Sequence, residues 1–270
     1  MAATGAHGPG TRLMRVLLGD PSASLASLYA YPSSPARPFV RANMVSSLDG
    51  SAVGADGRSG SVNTSADREV FQLLRSLADV IVVGAGTART ERYGRAGTTD
   101  LVVVSRSGSV PPRLAEPAPA ASGSAASGAA ASGAAASGSA ASGSAASGSG
   151  SVWLVTCAAA GADALAEARS ALGEDRVVEL GDSTVDLAAL VSWLGSQGWL
   201  RVLCEGGPHL LHDLVALDLL DELCLTVAPS LVGGDGPRIL TGGPVSRPVR
   251  PESLLLADDG TLLGRWSCRP

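Results

Sequence analysis

Not one lysine occurs in this chain, so all twenty basic side chains are arginine. No arginine-rich stripe exists either, and the formal net charge is −5 with a sequence pI near 5.2. That balance excludes a nucleic-acid binder, which needs clustered cations to neutralise phosphates. Cysteine is scarce: the four, at 157, 204, 224 and 268, stand far apart and form no Cys-x-x-Cys pair. Three of them fall in strand-like runs, the pattern of buried reduced thiols in a cytosolic protein. Long apolar runs are missing as well. Nothing approaches the roughly 18 residues of a membrane helix. The stretch LMRVLLG is too short for a signal sequence and is followed by Asp20 and Pro21. A soluble, cytoplasmic protein with no membrane or nucleic-acid partner is expected.

What the chain does contain is enough apolar material, 45% of residues, to exclude global disorder. Residues 1–37 are rich in Gly, Ala, Ser and Pro and read as a partly ordered extension, with firm order starting at Phe39. A second biased segment, 115–151, is a near-repeat of Ala-Ala-Ser-Gly with no charge after Glu116. Such a segment cannot bury enough surface to offset its ordering entropy. It lies between the strand-like runs LVVVS and VWLVT, so it reads as a disordered loop inside a single domain spanning 38–270. The rival reading is a linker between two domains, but each half has too few strands to close a sheet.

Elsewhere strands and helices alternate. FVRANMVSS, DVIVVG, DLVVVS, VWLVT, RVVEL, RVLCE and ELCLTVAP read as strands. Helices are expected near 65–78, from Thr87, and over 161–172, 186–197 and 207–216. The first of these has Val70, Leu73, Leu74 and Leu77 on one face, Thr64 as N-cap and Asp67 completing a capping box. Continuous apolar strands alternating with helices predict an α/β fold, a three-layer α/β/α arrangement around a mostly parallel sheet. The last two runs, joined at Asp259-Gly260, predict a C-terminal antiparallel hairpin at one edge. Ligands in such sheets bind at the carboxyl ends of the strands.

Several stretches at those ends carry candidate chemistry. In LCEGGPHLLHDLV a lone carboxylate, Glu205, stands where an apolar strand hands over to a helix, followed by Gly206, Gly207 and Pro208. In VVGAGTART the glycines Gly84 and Gly86 precede a helix, and bare helix-terminal amides make an anion site; the bland alternative is a tight turn with a cap. Ser105 and Arg106 follow the next strand. A Gly-rich turn, a strand and then Ser-Arg is the layout for a pyrophosphate bound beside a ribose 2′-phosphate, against the plainer reading of an exposed loop arginine. Asp49 sits at the mouth of the first strand, where it could simply make a turn. His209 and His212 lie three apart, but no third ligand is apparent for zinc, so no metal is expected.

Taken in order, VRANMVSSLDG, VIVVGAGTART, LCEGGPHLL and DELCLTVAPSLVGG resemble the reductase domain of riboflavin biosynthesis, in its stand-alone pyrimidine reductase form. The resemblance covers roughly residues 38–268 apart from the biased loop. It implies a dihydrofolate-reductase-like fold, a homodimer, and NADPH-dependent reduction of 5-amino-6-(5-phosphoribosylamino)uracil, which opens the ribose to a ribityl chain. It also implies site roles. Thr87 and Glu91 are similar to the family's cofactor-binding Thr and Asp, with Glu standing for Asp. Ser59 falls at a substrate contact and Ser61 at a cofactor contact, and Arg95 near the substrate phosphate. Asn43 stands where the family carries lysine. Glu205 matches the acid that addresses the substrate base, while Gly206, Gly207, Pro208, His209 and Leu210 match the cofactor-binding helix start. The nicotinamide is expected near Val45. In this reading a carboxylate, Glu205 first and Asp49 second, stabilises an iminium-like electrophile as hydride arrives. The likeness to dihydrofolate reductases also implies a cis Gly206–Gly207 peptide. A pterin-like substrate, or a non-catalytic NADP-binding module, are the alternatives.

Overall fold

The computed structural model describes residues 14–116 and 150–269. Ten strands are defined: β1 (Met14–Leu18), β2 (Phe39–Ser47), β3 (Val80–Gly84), β4 (Asp100–Val104), β5 (Val152–Thr156), β6 (Val177–Glu179), β7 (Arg201–Cys204), β8 (Glu222–Ala228), β9 (Arg250–Ala257) and β10 (Leu262–Ser267). They form one sheet in the order β1-β9-β10-β8-β2-β7-β3-β4-β5-β6. From β8 through β6 every pairing is parallel. The last three pairings, β8 with β10, β10 with β9 and β9 with β1, are antiparallel. The expected hairpin is therefore present, but its outer strand is covered by β1 rather than left as the edge.

The helices are α1 (Leu25–Leu28), α2 (Ser65–Leu77), α3 (Ala85–Thr90), α4 (Pro112–Ala115), α5 (Ala162–Leu172), α6 (Leu187–Ser196) and α7 (Pro208–Ala216). Alternate residues of the central strands supply two cores. Ile81, Val83, Leu101 and Val103 pack with Val70 and Leu74 of α2 and Leu165 of α5 on one face. Val80, Val82 and Val102 pack with Leu190 and Leu194 of α6 and Leu211 of α7 on the other. Burial on both faces is why these strands read as unbroken apolar runs rather than alternating ones.

Three expectations need correction. Firm structure begins before Phe39, because β1 pairs with β9 and α1 is docked from below by two arginines. Arg41, fully buried, donates from Nη1 to Tyr29 O at 2.6 Å, and Arg265 donates to Leu28 O. Glu222 holds both: Arg41 Nε donates to its Oε1 at 2.5 Å and Arg265 Nη2 to its Oε2 at 2.6 Å. Helix α3 opens at Ala85, not Thr87, so Thr87 falls in its first turn with Gly84 as N-cap. Thr64 does cap α2, its hydroxyl accepting the Asp67 N–H, but Asp67 makes no return bond among the described residues.

Strands β4 and β5 flank the biased segment in sequence and are parallel neighbours in the sheet. Residues 117–149, most of the expected loop, lie outside the described residues. Its two ends are structured: Leu114 of α4 is fully buried, and Gly150 is buried with its N–H on Gly97 O at 2.6 Å. Replacing 117–149 by a Gly-Ser linker of about twelve residues, which reaches about 40 Å, is expected to leave the urea midpoint unchanged. A lower midpoint would show that the segment supports the sheet. Glu222→Ala is expected to cost about 3–5 kcal/mol, because it strands two arginines in the interior. A loss below about 1 kcal/mol, the worth of an exposed pair, would show that solvent reaches them.

Candidate active site

Four neighbouring strands, β2, β7, β3 and β4, end at the same edge of the sheet, and their ends floor a cleft of about 1210 Å³. Two joints meet at its centre. Where β7 passes into α7, the Glu205 N–H still bonds to Val82 O of β3 at 2.9 Å, so the acid sits on an extension of the ladder. The chain then turns at Gly206, whose φ of +89° is a conformation that favours glycine. A Cβ there would meet Met44 Sδ at 2.9 Å, and one on Gly207 would meet Thr87 Oγ1 at 2.7 Å. The joint is laced to the β3–α3 turn: Gly84 N–H donates to Gly206 O at 2.9 Å, and Gly207 N–H to Thr87 Oγ1 at 3.2 Å. Two glycines after an acid are thus a packing requirement. The expected cis peptide is absent, since all peptide bonds among the described residues are trans. The left-handed turn at Gly206 redirects the chain without it.

Glu205 does not face the cleft as an isolated charge. Its side chain is 1% exposed. Arg75 of α2 grips it with both arms of the guanidinium, Nε to Oε1 and Nη2 to Oε2, each at 2.6 Å. The Tyr93 hydroxyl donates to Oε2 at 2.8 Å. Burial, then the neighbouring carboxylate, push the Tyr93 phenol well above its ordinary pKa, so it stays a donor. Arg75 also lies over the Phe71 ring at 4.4 Å. The carboxylate therefore arrives with its countercharge attached. As a bare anion facing an iminium, the role expected from sequence, it is largely neutralised.

Of the other expected residues, Asn43, Val45, Ser59, Gly84, Gly86, Thr87, Glu91, Arg95, Ser105, Arg106, Gly206, Gly207, Pro208, His209 and Leu210 all line the cleft. Some are partly committed. Glu91 accepts the Ser59 N–H at 2.8 Å, tying the loop after β2 to α3. Ser105 donates to Ser109 O at 3.2 Å, and Arg95 Nη1 to Gly150 O at 3.4 Å. Arg106 is exposed on the wall beyond β4.

Asp49 and Ser61 do not line the cleft. Asp49 is a loop clamp: the Ser47 hydroxyl and the N–H groups of Gly233 and Val232 bond to it and hold its carboxyl down at about 2. Ser61 donates to Asp56 and to Arg58 O. His212 is bonded to Asp213 and to Gly243 O, and no group of three or more metal-ligating side chains exists among the described residues.

Sequence reasoning missed Arg75, Tyr93, Phe71, Asp67 and Asn63, all of which line the cleft. The signal was available in part: Asp67, Phe71 and Arg75 recur every four residues along α2, a stripe beside the apolar one. The pairing of Arg75 with Glu205, 130 residues away, had no local trace.

Comparison with known proteins finds relatives in fold and in sequence. The fold matches a crystal structure of a pyrimidine reductase-like protein from Corynebacterium diphtheriae, with TM-score 0.66 and 20% identity over 92% of this chain and 100% of that one. It also matches Acinetobacter baumannii RibD, with TM-score 0.60 and 19% identity over 87% of this chain and 59% of that one. The 2,5-diamino-6-ribosylamino-4(3H)-pyrimidinone 5′-phosphate reductase of Archaeoglobus fulgidus is 31% identical over 85 residues, which are 31% of this chain and 39% of the relative. A family model described as the RibD C-terminal domain matches residues 38–263. The chain belongs to that family.

Proposed function

We propose that this protein is an NADPH-dependent reductase of a ribosylaminopyrimidine phosphate, the class of substrate named for its archaeal relatives. The observation that carries the reading is one cleft holding two differently equipped halves. Around Gly84–Thr87, Ser105–Arg106 and Gly206–Leu210 the lining is glycine, hydroxyl, arginine and the start of α7. Around Asn63, Asp67, Phe71 and Glu205 it is carboxyl, amide and aromatic.

The first half fits a dinucleotide. Gly207 caps α7 with no side-chain hydrogen bond, leaving first-turn amides toward the cleft, where an anionic group is favoured. Gly86, in the first turn of α3, has nothing within 4 Å of a built Cβ, which is room for close approach. Arg106 offers a planar fork suited to a ribose 2′-phosphate, and Ser105 a hydroxyl beside it. The nicotinamide, when bound, supplies a hydride.

The residues of the chain do the rest. Val45 and Met44 give β2 an apolar floor on which a flat ring can lie. The Arg75–Glu205–Tyr93 cluster orients the second reactant: one lone pair on Oε1 remains available as an acceptor after Arg75 is satisfied, without a net negative charge. Reduction at the imine carbon of the ring-opened ribosylamine takes one hydride and leaves a ribityl amine, and one proton from solvent completes the balance. Placement is the chief contribution of a protein to such a reaction. The family resemblance extends the reading to a cytoplasmic homodimer.

Two outcomes test this. Arg106→Ala is expected to weaken NADPH binding roughly ten- to a hundred-fold while leaving NADH unchanged, the worth of one charge-assisted contact. Titration of both cofactors decides it, and equal losses would make Arg106 an ordinary loop arginine. Glu205→Gln, which breaks the two-pronged pairing with Arg75 and so misplaces the cluster, is expected to lower kcat on the order of a hundredfold and to leave the NADPH Kd unchanged. Loss of cofactor binding in parallel would move Glu205 out of the substrate half.

A further inference from the structure

Helix α2 carries a polar stripe that its own stability does not require. Asp67, Phe71 and Arg75 follow one another along it at intervals of four, Asn63 stands four residues before Asp67 and ahead of the helix, and all four line the cleft. Arg75 is taken up by Glu205 at one end. At the other end Asp67 is only 3% exposed, yet its Oδ1 has no hydrogen-bond partner, and Asn63 Oδ1 is likewise buried and unpartnered. Leaving a buried acceptor unmet costs about 1–3 kcal/mol, and more for a charged one. The cap of α2 is made by the Thr64 hydroxyl, so the Asp67 carboxyl is not needed there. Burial raises its pKa above the usual carboxylate value, against the lowering effects of a Thr226 hydrogen bond and of Arg68. A donor arriving from the cleft would relieve that penalty.

We propose that Asp67, assisted by Asn63, determines specificity for the heterocycle by pairing with a 2-amino-4-oxopyrimidine edge and rejecting a uracil edge. This rests on the reductase reading above and names which substrate of that class the site takes. A 2-amino-4-oxopyrimidine presents a ring N–H and an exocyclic amine side by side, two parallel donors that match a carboxylate fork. Uracil keeps the ring N–H but places a carbonyl oxygen where the exocyclic amine stood, so one of the two Asp67 oxygens would face an acceptor and lose its donor. Phe71, one turn along, gives the ring an apolar neighbour, and the Arg75–Glu205 pair bounds the far side. The same edge occurs in a ribosylaminopyrimidine and in a dihydropterin, and these are the two sources to be separated.

The test uses the NADPH-loaded full chain and follows cofactor absorbance with three compounds. They are 2,5-diamino-6-(5-phosphoribosylamino)pyrimidin-4-one, its 2-oxo counterpart 5-amino-6-(5-phosphoribosylamino)uracil, and 7,8-dihydropterin. The wild type is expected to favour the 2-amino pyrimidine over the 2-oxo one by on the order of a hundredfold or more in kcat/KM, because a site built for an N–H donor discriminates strongly against its absence. Asp67→Asn, nearly isosteric, should bring that ratio toward unity by lowering the 2-amino arm alone, with NADPH affinity and thermal midpoint unchanged. A wild-type ratio near unity, or a ratio that survives Asp67→Asn, overturns the proposal and leaves the reductase reading standing. Faster reduction of dihydropterin, lost in Asp67→Asn, supports the edge assignment and identifies the pterin as its source. Reduction of none of the three by protein that binds NADPH overturns the reductase reading and the proposal with it.

Discussion

The ion pair between Arg75 and Glu205 is the constraint around which the cleft is organised. A carboxylate 1% exposed at the end of a parallel strand is costly unless a charge-assisted partner meets both oxygens. Arg75 does so in the parallel, two-pronged geometry available to a guanidinium alone among cationic side chains. The pair joins α2 to the β7–α7 joint across the cleft. It thereby fixes the azimuth of α2, and with it the faces on which Asp67 and Phe71 lie. Tyr93 closes the same cluster from the loop after α3. Three segments far apart in sequence are held at one carboxylate.

The second organising contact is covalently small. Gly206 and Gly207 let the β7–α7 joint approach Met44 and Thr87 to distances that a side chain would forbid. Hydrogen bonds from Gly84 and Gly207 then lock the two turns together. The ion pair therefore sits against a rigid wall, and the start of α7 lines the same cleft as Arg106. The proposed division into a cofactor half and a heterocycle half follows from this wall: glycine and amide on one side, a buried polar stripe on the other.

A comparable device secures the far side of the sheet. Glu222 begins β8 opposite Arg41 of β2, and Arg265 of β10 closes the cluster. The arginines donate onward to carbonyls at the end of α1. That is how α1, in a Gly-, Ala- and Pro-rich segment unpromising by composition, is held in place, while β1 joins the sheet by pairing with β9.

Local sequence alone determined the class of the fold and the place of the cleft. Strand runs such as VIVVG and VWLVT are apolar on both faces because both faces are covered, and that pattern is visible in any parallel sheet. Gly-Gly and Gly-x-Gly turns at strand ends marked the joints correctly, and at Gly206 and Gly207 close approach leaves only glycine as a choice. Thr64 announced the start of α2 through its capping chemistry. Tertiary structure decided what periodicity cannot encode: which charge meets which. Glu205 reads as a solitary acid until α2 is laid across it, and Asp67 reads as half of a capping box until its unpartnered oxygen is found in the cleft. Asp49, prominent in sequence, proves to be bound by the loop at Val232 and Gly233. Ion pairing acts through space with no sequence period, so its partners become known when the chain has folded.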